Sequence, residues 1–181
     1  AFSMCTECRK YYPEFRVSIN LSYVQILKSP LMMELKQMID HSGISCSGII
    51  VELTESGYLE GTPAVRSVWN DMKQLRIQIA LDDFGTGYSN LMNISNLEPD
   101  IVKLDRGFTL KALSRSYEYQ LMQYVIEMVH KLNQYVCVEG VETKEDLEKI
   151  KALGPDLIQG YYYSKPCSRD EFLKKFFGYS E

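Results

Sequence analysis

The chain has 181 residues, of which 45% are hydrophobic, and it carries a formal net charge of −4. This length suffices for one domain with a sizeable core, and the balance of apolar and charged residues excludes a disordered, collagen-like or coiled-coil chain. The mild acidity argues against a nucleic-acid polymer as partner, but it leaves open a small anionic ligand held by metal ions. No apolar run reaches the roughly 18 residues of a membrane span, and no secretory leader precedes Ala1. We therefore expect a cytoplasmic domain over residues 1–181.

The cysteines are expected to be reduced thiols, as in other cytoplasmic proteins. Cys5 and Cys8 form a CxxC pair, a spacing also found in one half of many zinc sites, but no second CxxC follows. His41 and His130 are both far from the pair in sequence. The sequence therefore predicts that Cys5 and Cys8 lie on a terminal helix and bind no metal.

Short apolar runs alternate with helical patterns along the chain. The predicted strands are residues 16–20, 48–53, 78–82, 101–105, 136–139 and 157–159. The predicted helices are residues 30–42, 63–75, 117–133 and 144–153. Thr143 and Asp146 form a capping box before the last helix. The runs are apolar on both sides of the pleat, and they recur at intervals of about 20–35 residues, which indicates a parallel sheet in one α/β domain.

Polar side chains stand at the end of nearly every predicted strand. They are Asn20, Glu52, Asp82 with Asp83, Lys103 with Asp105, Glu139 and Gln159. An open doubly wound sheet brings together only the strand ends beside its switch point. A (β/α)₈ barrel instead gathers all the strand ends at one mouth. Because six strands in succession end in this way, the pattern favours the barrel.

Several carboxylates at one mouth repel each other unless a positive charge lies among them. Oxygen donors of this kind suit Mg²⁺ or Mn²⁺. The adjacent Asp82 and Asp83 can serve two ions about 3.5–4 Å apart, which together stabilise an in-line displacement at phosphorus. The residues therefore favour metal-dependent phosphodiester hydrolysis.

The segment Phe84-Gly85-Thr86-Gly87 follows the aspartate pair. Its glycines permit positive φ and a close approach of the backbone to a ligand. Alone, the segment is a weak phosphate-loop signal and equally describes a tight turn between strand and helix. At the mouth of a barrel we interpret it as an active-site loop.

Six segments together resemble the signatures of EAL-domain cyclic-di-GMP phosphodiesterases. They are Asn20-Leu21-Ser22, Val51-Glu52-Leu53-Thr54-Glu55-Ser56, the stretch Ala-Leu-Asp-Asp-Phe-Gly-Thr-Gly-Tyr-Ser at 80–89, Val102-Lys103-Leu104-Asp105, Val138-Glu139-Gly140-Val141-Glu142-Thr143 and Ile158-Gln159-Gly160-Tyr161. They follow the family's order over nearly the whole chain. The resemblance implies a (β/α)₈ barrel with one antiparallel strand, and hydrolysis of cyclic di-GMP to linear pGpG with two Mg²⁺ or Mn²⁺ ions.

The resemblance also implies a role for each site residue. Asn20, Glu52 and Asp82 would bind the first metal, with Asp82 bridging to a second metal on Asp83. Glu139 would be the general base, and Lys103 would steady the attacking water or the phosphate. The supporting residues would be Asp105 at the second metal, Gln159 lining the site, Glu55 anchoring the loop after Asp83, Glu142 either supporting a site residue or facing the ligand, and Phe84, Gly85, Thr86 and Gly87 in the loop itself.

The chain departs from the family in one respect, because no Glu-Ala-Leu motif precedes Asn20. Glu34-Leu35 lies downstream of Asn20 in a helical pattern and is no substitute. We therefore expect the last six of eight βα units, with an open barrel that hydrolyses poorly by itself. Exposed strand edges favour pairing with another chain. The resemblance further implies a homodimer through the loop after Asp83 and nearby helices, in a parent with sensory or cyclase domains, with or without a membrane anchor.

Two other functions remain open. One is a domain that binds cyclic di-GMP, or a protein partner, without cutting it; the absent glutamate favours this reading, whereas the other acidic residues oppose it. The second is a barrel enzyme acting on a sugar phosphate, which lacks support because Gln159-Gly160-Tyr161 is not a glycine-rich phosphate loop. Residues 161–163, all tyrosines, serve either to stack guanine or to pack the barrel against a helix.

Overall fold

The computed structural model describes residues 1–27, 30–54, 63–86, 94 and 97–178. Its strands are β1 (Val17–Asn20), β2 (Ile49–Thr54), β3 (Gln78–Phe84), β4 (Ile101–Leu104), β5 (Tyr135–Glu139) and β6 (Leu157–Gln159). They form one sheet in the order β1-β2-β3-β4-β5-β6, and every neighbouring pair is parallel. All six predicted strands are confirmed. The antiparallel strand that the resemblance implied is not among these six.

The strand order identifies the architecture. An open doubly wound sheet reverses its order at a switch point, whereas these strands are neighbours in chain order throughout, as in a (β/α) barrel. The sheet curls into an open barrel of six strands with helices on its convex side. The predicted truncated barrel is therefore confirmed.

The described helices follow the strands as a barrel requires. They are α1 (Phe2–Cys8), α2 (Tyr23–Leu27), α3 (Leu31–Ser42), α4 (Pro63–Gln74), α5 (Arg106–Ser114), α6 (Ser116–Lys131), α7 (Lys144–Lys151) and α8 (Arg169–Phe177). The four predicted helices correspond to α3, α4, α6 and α7, and no end differs from the prediction by more than two residues. The predicted capping box of Thr143 and Asp146 opens α7. No helix in the described ranges has both the length and the apolar character needed to cross a bilayer.

Several strand ends differ from the prediction by one or two residues, and two of these differences bear on the site. Strand β3 continues to Phe84, two residues beyond the predicted end, and β4 stops at Leu104. Asp105 lies outside the strand because its carboxylate accepts a hydrogen bond from the backbone N–H of Gly107 at 2.8 Å. Asp105 is thereby the N-cap of α5, a helix that the apolar pattern does not reveal.

The central strands are buried on both faces. On the convex face, Val51, Leu81, Val102 and Val138 join the main core under the helices. On the concave face, a second set of buried residues forms a separate cluster, consisting of Ile50, Ala80, Ile101 and Cys137. The edge strands β1 and β6 retain exposed residues along their length. The interior of the curled sheet is therefore apolar below the ends of its strands.

The predicted position of the CxxC pair on a terminal helix is confirmed. Cys5 and Cys8 lie on α1 with no exposed surface, and burial raises the pKa of both thiols. All the cysteines of the chain are free. The terminal helices α1 and α8 are joined by an ion pair between Glu7 and Arg169.

A repeated Pro-Asp pair fixes the start of two strands. Asp100 precedes β4, and its carboxylate accepts from the N–H of Ile79 on β3 at 2.8 Å. Asp156 precedes β6, and its carboxylate accepts from the N–H of Val136 on β5, also at 2.8 Å. In return, the N–H of Asp100 donates to the carbonyl of Ile79, and the N–H of Asp156 donates to the carbonyl of Val136. These paired bonds fix the register of neighbouring strands at the end opposite the polar side chains.

We expect Asp156→Ala to lower the free energy of unfolding by about 1–3 kcal/mol, because the N–H of the buried Val136 loses its acceptor. Asp156 also contacts His130 Nε2 at 2.9 Å, so the same change removes a second contact. Urea denaturation measures the difference. The control is Asp40→Ala on the exposed side of α3, which should change stability by no more than about 0.5 kcal/mol. Equal effects of the two substitutions would contradict the assigned role of Asp156.

Candidate active site

The ammonium of Lys103 lies at the centre of three carboxylates. Its Nζ is 2.7 Å from Glu52 Oε2, 3.0 Å from Asp82 Oδ1 and 2.7 Å from Glu139 Oε1. The side chains involved are only 7% exposed for Lys103 and at most 17% exposed for the acids. The sequence placed these four residues at one mouth, and the structure brings them into direct contact.

The register of the sheet explains why the four residues meet. Glu52 on β2 lies beside Ala80 on β3, so Asp82 is two residues beyond the position on β3 that is level with Glu52. Lys103 likewise lies beside Cys137, and Glu139 is two residues further along β5. Because side chains alternate with period two, a shift of two residues preserves the face. Glu52, Asp82, Lys103 and Glu139 therefore all project to the concave face, at the carboxyl ends of four adjacent strands.

A β-bulge permits two adjacent aspartates at the end of β3. Leu81 lies beside Val102, but Phe84 lies beside Leu104, so β3 contains one residue more than β4 over this interval. Asp83 is the residue with a left-handed backbone, with φ of 61°. The extra residue returns Phe84 to the main core, where it is 4% exposed. A regular strand would instead direct Asp83 into the core and Phe84 into the mouth.

The carboxyl of Asp83 belongs to the same electrostatic group. Burial raises its pKa, as do the nearby carboxylates of Asp82 and Asp105, whereas Lys103 acts in the opposite direction. Asp105 is thus close enough to influence Asp83 while it caps α5. The predicted supporting role of Asp105 at a second metal remains a prediction.

Lys103 and Glu139 have perturbed acid–base behaviour. Burial by itself would lower the pKa of Lys103, but hydrogen bonds to Glu139, Glu52 and Asp82 outweigh it and raise the pKa above its usual value. Burial raises the pKa of Glu139, and the hydrogen bond from Lys103 only partly opposes this effect. Lys103 is therefore a permanent cation, and Glu139 is a stronger base than a solvated glutamate.

Close packing holds the segment after Glu139. Gly140 has φ of 80°, and a Cβ at this position would collide with the side chain of Arg106 and lie 3.1 Å from its Cα. Arg106 extends past Gly140 to Glu142, with 2.7 Å between Nη2 and Oε1. Glu142, for which the resemblance implied a supporting or ligand-facing role, is paired with this arginine, and that role remains a prediction. Gly160 is equally constrained, because its Cβ would collide with the backbone of Val141.

A cavity of about 740 Å³ lies against the concave face. Its floor is apolar and includes Ile50, Ala80, Ile101 and Cys137, while Glu52, Lys103 and Gln159 bring polar groups to it. Burial raises the pKa of the Cys137 thiol to about 12, so the thiol behaves as part of the apolar floor. Tyr161 and Tyr163 line the same cavity, and Tyr161 also lies under the ammonium of Lys165.

The remaining predicted residues are distributed around this centre. Asn20 is an exposed residue of the edge strand β1, beside Glu52 in the register, and Gln159 lies beside Glu139. Phe84 lies in the main core, and Gly85, with φ of 105°, packs against Phe108. Thr86 is exposed. Glu55 and Gly87 lie outside the described residues.

Sequence reasoning missed Arg106, Gly160 and the structural reason for Gly140. The signal for Gly140 and Gly160 was their position directly after the polar residue that ends a strand, where backbone crowding is common at a barrel mouth. No local signal pointed to Arg106, because its partner Glu142 is distant in sequence.

The expected divalent cations find the right donor chemistry, since Asn20, Glu52, Asp82 and Asp83 offer amide and carboxylate oxygens. Within the ranges that the structure describes, no three Asp, Glu, His or Cys side chains are grouped to hold one ion. Glu52 and Asp82 direct one oxygen each to Lys103 instead. The residues therefore suit a divalent cation in kind, but an ion must share these oxygens with Lys103.

Comparison with known proteins agrees with this fold. Cyclic di-GMP phosphodiesterase PdeF of Escherichia coli K12 is 32% identical over 160 residues, which are 88% of this chain and 21% of that protein. The EAL enzyme Bd1971, in its form bound to cAMP and cyclic di-GMP, superposes with a TM-score of 0.89 at 27% identity, over 96% of this chain and 48% of that one. The EAL domain of Mycobacterium smegmatis DcpA gives a TM-score of 0.89 at 25% identity, over 98% of this chain and 81% of that domain.

The chain thus spans about a fifth of the length of curated relatives such as PdeF. The family model of the EAL domain matches residues 1–166, which include every strand of the sheet and every residue of the candidate site. The chain belongs to the EAL domain family.

Proposed function

We propose that this chain is the greater part of a metal-dependent phosphodiesterase domain that hydrolyses cyclic di-GMP to linear pGpG. The observation that carries the proposal is the contact of Lys103 with Glu52, Asp82 and Glu139 at the mouth of an EAL-type sheet. The names of PdeF and Bd1971 connect relatives of this fold with cyclic di-GMP.

Glu139 is the residue best suited to accept a proton from the attacking water. Its carboxylate ends β5 at the mouth, and Lys103 fixes one of its oxygens at 2.7 Å. The pKa raised by burial makes it a better proton acceptor than a solvated glutamate. Addition of water at phosphorus breaks one bond from phosphorus to a ribose oxygen, and that oxygen takes up a proton as the ring opens.

A divalent cation held by Asn20, Glu52 and Asp82, with Asp83 at a second ion, would supply charge neutralisation at the phosphate and acidify the attacking water. The residues of the chain perform the other tasks. Lys103 orients Glu139, the amide of Gln159 lines the cavity, and the apolar floor around Ile101 keeps water away from the buried pairs. The choice between Mg²⁺ and Mn²⁺ and the number of ions are parts of this proposal.

A receptor that binds cyclic di-GMP without cutting it is the second candidate. The observation in its favour is that the described carboxylates surround Lys103 rather than forming a three-acid metal group. Hydrolysis and binding are separable by measurement. Nucleotide binding in EDTA, with no pGpG formed when Mn²⁺ is supplied, would favour the receptor.

We further propose that the domain acts in the cytoplasm and forms a homodimer through the loop after Asp83 and nearby helices. Most of that loop lies outside the described residues. In the parent protein the domain would be joined to sensory or cyclase domains. It would oppose the activity of a cyclase domain or respond to a sensory domain.

We expect Glu139→Gln to reduce the rate of pGpG formation by about 10²-fold or more, because the amide cannot accept the proton of water. The measurement is chromatography of product from cyclic di-GMP with MnCl₂, with an EDTA blank. Glu148→Gln is the matched control, since Glu148 is exposed on α7 and its side chain is 68% exposed. Equal rates for the wild type and Glu139→Gln would refute the assignment of Glu139.

The crowding at Gly140 generates a second prediction. Gly140 and Gly154 both have positive φ, of 80° and 75°, but only Gly140 faces Arg106, because nothing lies within 4 Å of a Cβ at Gly154. Gly154→Ala should therefore lower stability by about 1 kcal/mol through backbone strain alone. Gly140→Ala should cost about 2 kcal/mol more through overpacking, and should also slow hydrolysis by displacing Glu139.

Urea denaturation and the product assay on both variants test this comparison. Equal losses of stability in the two variants would show that Arg106 does not constrain the segment. Normal turnover by a destabilised Gly140→Ala protein would show that the segment does not position Glu139.

A further inference from the structure

The cluster around Lys103 is unbalanced in charge. Three carboxyl groups, from Glu52, Asp82 and Glu139, surround one ammonium, so the acidic groups outnumber the cation three to one in a nearly buried space. Counting backbone and side chain together, Glu52 is 7% exposed and Lys103 is 5% exposed, so water screens these charges weakly. Without Lys103 the three acids would repel each other at the end of a rigid sheet.

The hydrogen-bonding capacity of Lys103 is fully used. An ammonium has three donors and no acceptor. Glu52, Asp82 and Glu139 supply three acceptors at distances between 2.7 and 3.0 Å. Lys103 therefore has no donor left for a phosphate or a water molecule unless one carboxylate is released.

Two of these three carboxylates are also the proposed ligands of a divalent cation. One oxygen of Glu52 and one of Asp82 already bind the ammonium, and the described residues contain no alternative three-acid group. A cation that enters between Glu52 and Asp82 must displace the ammonium from at least part of this arrangement, or share the oxygens with it.

We infer that Lys103 is a built-in counter-ion, which holds the three carboxylates together while no divalent cation is bound and competes with that cation for Glu52 and Asp82. The inference rests on the proposed function only in assuming that Glu52 and Asp82 bind a cation. Arrival of the cation would release Lys103 toward Glu139 and toward the cavity. Only then could its ammonium take the role at the water or phosphate that the family resemblance implies.

The competition predicts two opposite effects of a single substitution. Lys103→Met removes the charge while it keeps much of the length of the side chain. In EDTA, we expect its thermal midpoint to fall by about 5 °C or more, because three buried carboxylates lose their partner. We expect Mn²⁺, measured by calorimetry with MnCl₂ alone, to bind at least about tenfold more tightly, because the competing ammonium is gone.

Two control variants separate charge from packing. Lys103→Arg keeps the positive charge and should bind Mn²⁺ no more tightly than the wild type. Lys73→Met removes a lysine whose ion pair with Glu98, at 3.6 Å, is exposed. It should shift the midpoint by no more than about 2 °C and leave the Mn²⁺ affinity unchanged.

A measurement on the wild-type chain covers the case in which Lys103→Met does not fold in EDTA. The ammonium signal of Lys103 in ¹H–¹⁵N spectra should be protected from exchange without metal and should change on titration with MgCl₂, while that of Lys73 should not. Folding of Lys103→Met only after Mn²⁺ is added would also support the inference.

Three results would overturn the inference. They are weaker or unchanged Mn²⁺ binding by Lys103→Met, a Lys103 signal that stays constant while Mg²⁺ saturates the protein, and no cation binding by either the wild type or Lys103→Met. None of these measurements involves cyclic di-GMP, so failure of the proposed hydrolysis would be recorded separately.

Discussion

The contact of one buried ammonium with three carboxylates is the interaction on which this site depends. It requires four strands that run in the same direction, each ending at the same edge with a charged side chain on the concave face. A parallel barrel provides this arrangement, because the four residues are either level with each other or two residues apart in the register, and both spacings preserve the face. The apolar layer directly below, from Ile50 to Cys137 across the sheet, then removes water and strengthens every ion pair above it.

The opposite end of the sheet performs a different task. There, Asp100 and Asp156 hold neighbouring strands in register by bonding to backbone N–H groups. Because register sets which residues face inward, these aspartates at the start of β4 and β6 influence the position of acids at the far end. Residues of the same type therefore stabilise the fold at one edge of the sheet and form the candidate active site at the other.

Much of the fold could be predicted from the sequence because its strands are short, apolar and regularly spaced. The candidate site was also accessible, since a polar residue at each strand end is a local pattern. What could not be predicted depends on contacts between distant segments. Arg106, the first residue of α5, meets Glu142 only because the segment after β5 passes close to that helix. Asp105 was assigned to a strand because its role as a helix cap depends on backbone geometry. The contacts of Lys103 with three acids could not be predicted either, because they join side chains from strands that are distant in sequence.

The bulge at Asp82 and Asp83 gives β3 one residue more than β4 over the same interval. Deletion of either aspartate would leave a regular strand, in which Leu81 and Phe84 still face the core and one carboxylate faces the mouth. The extra residue is therefore not needed to keep Phe84 buried. Its consequence is a second carboxylate at the mouth, obtained without turning a charge toward the helices.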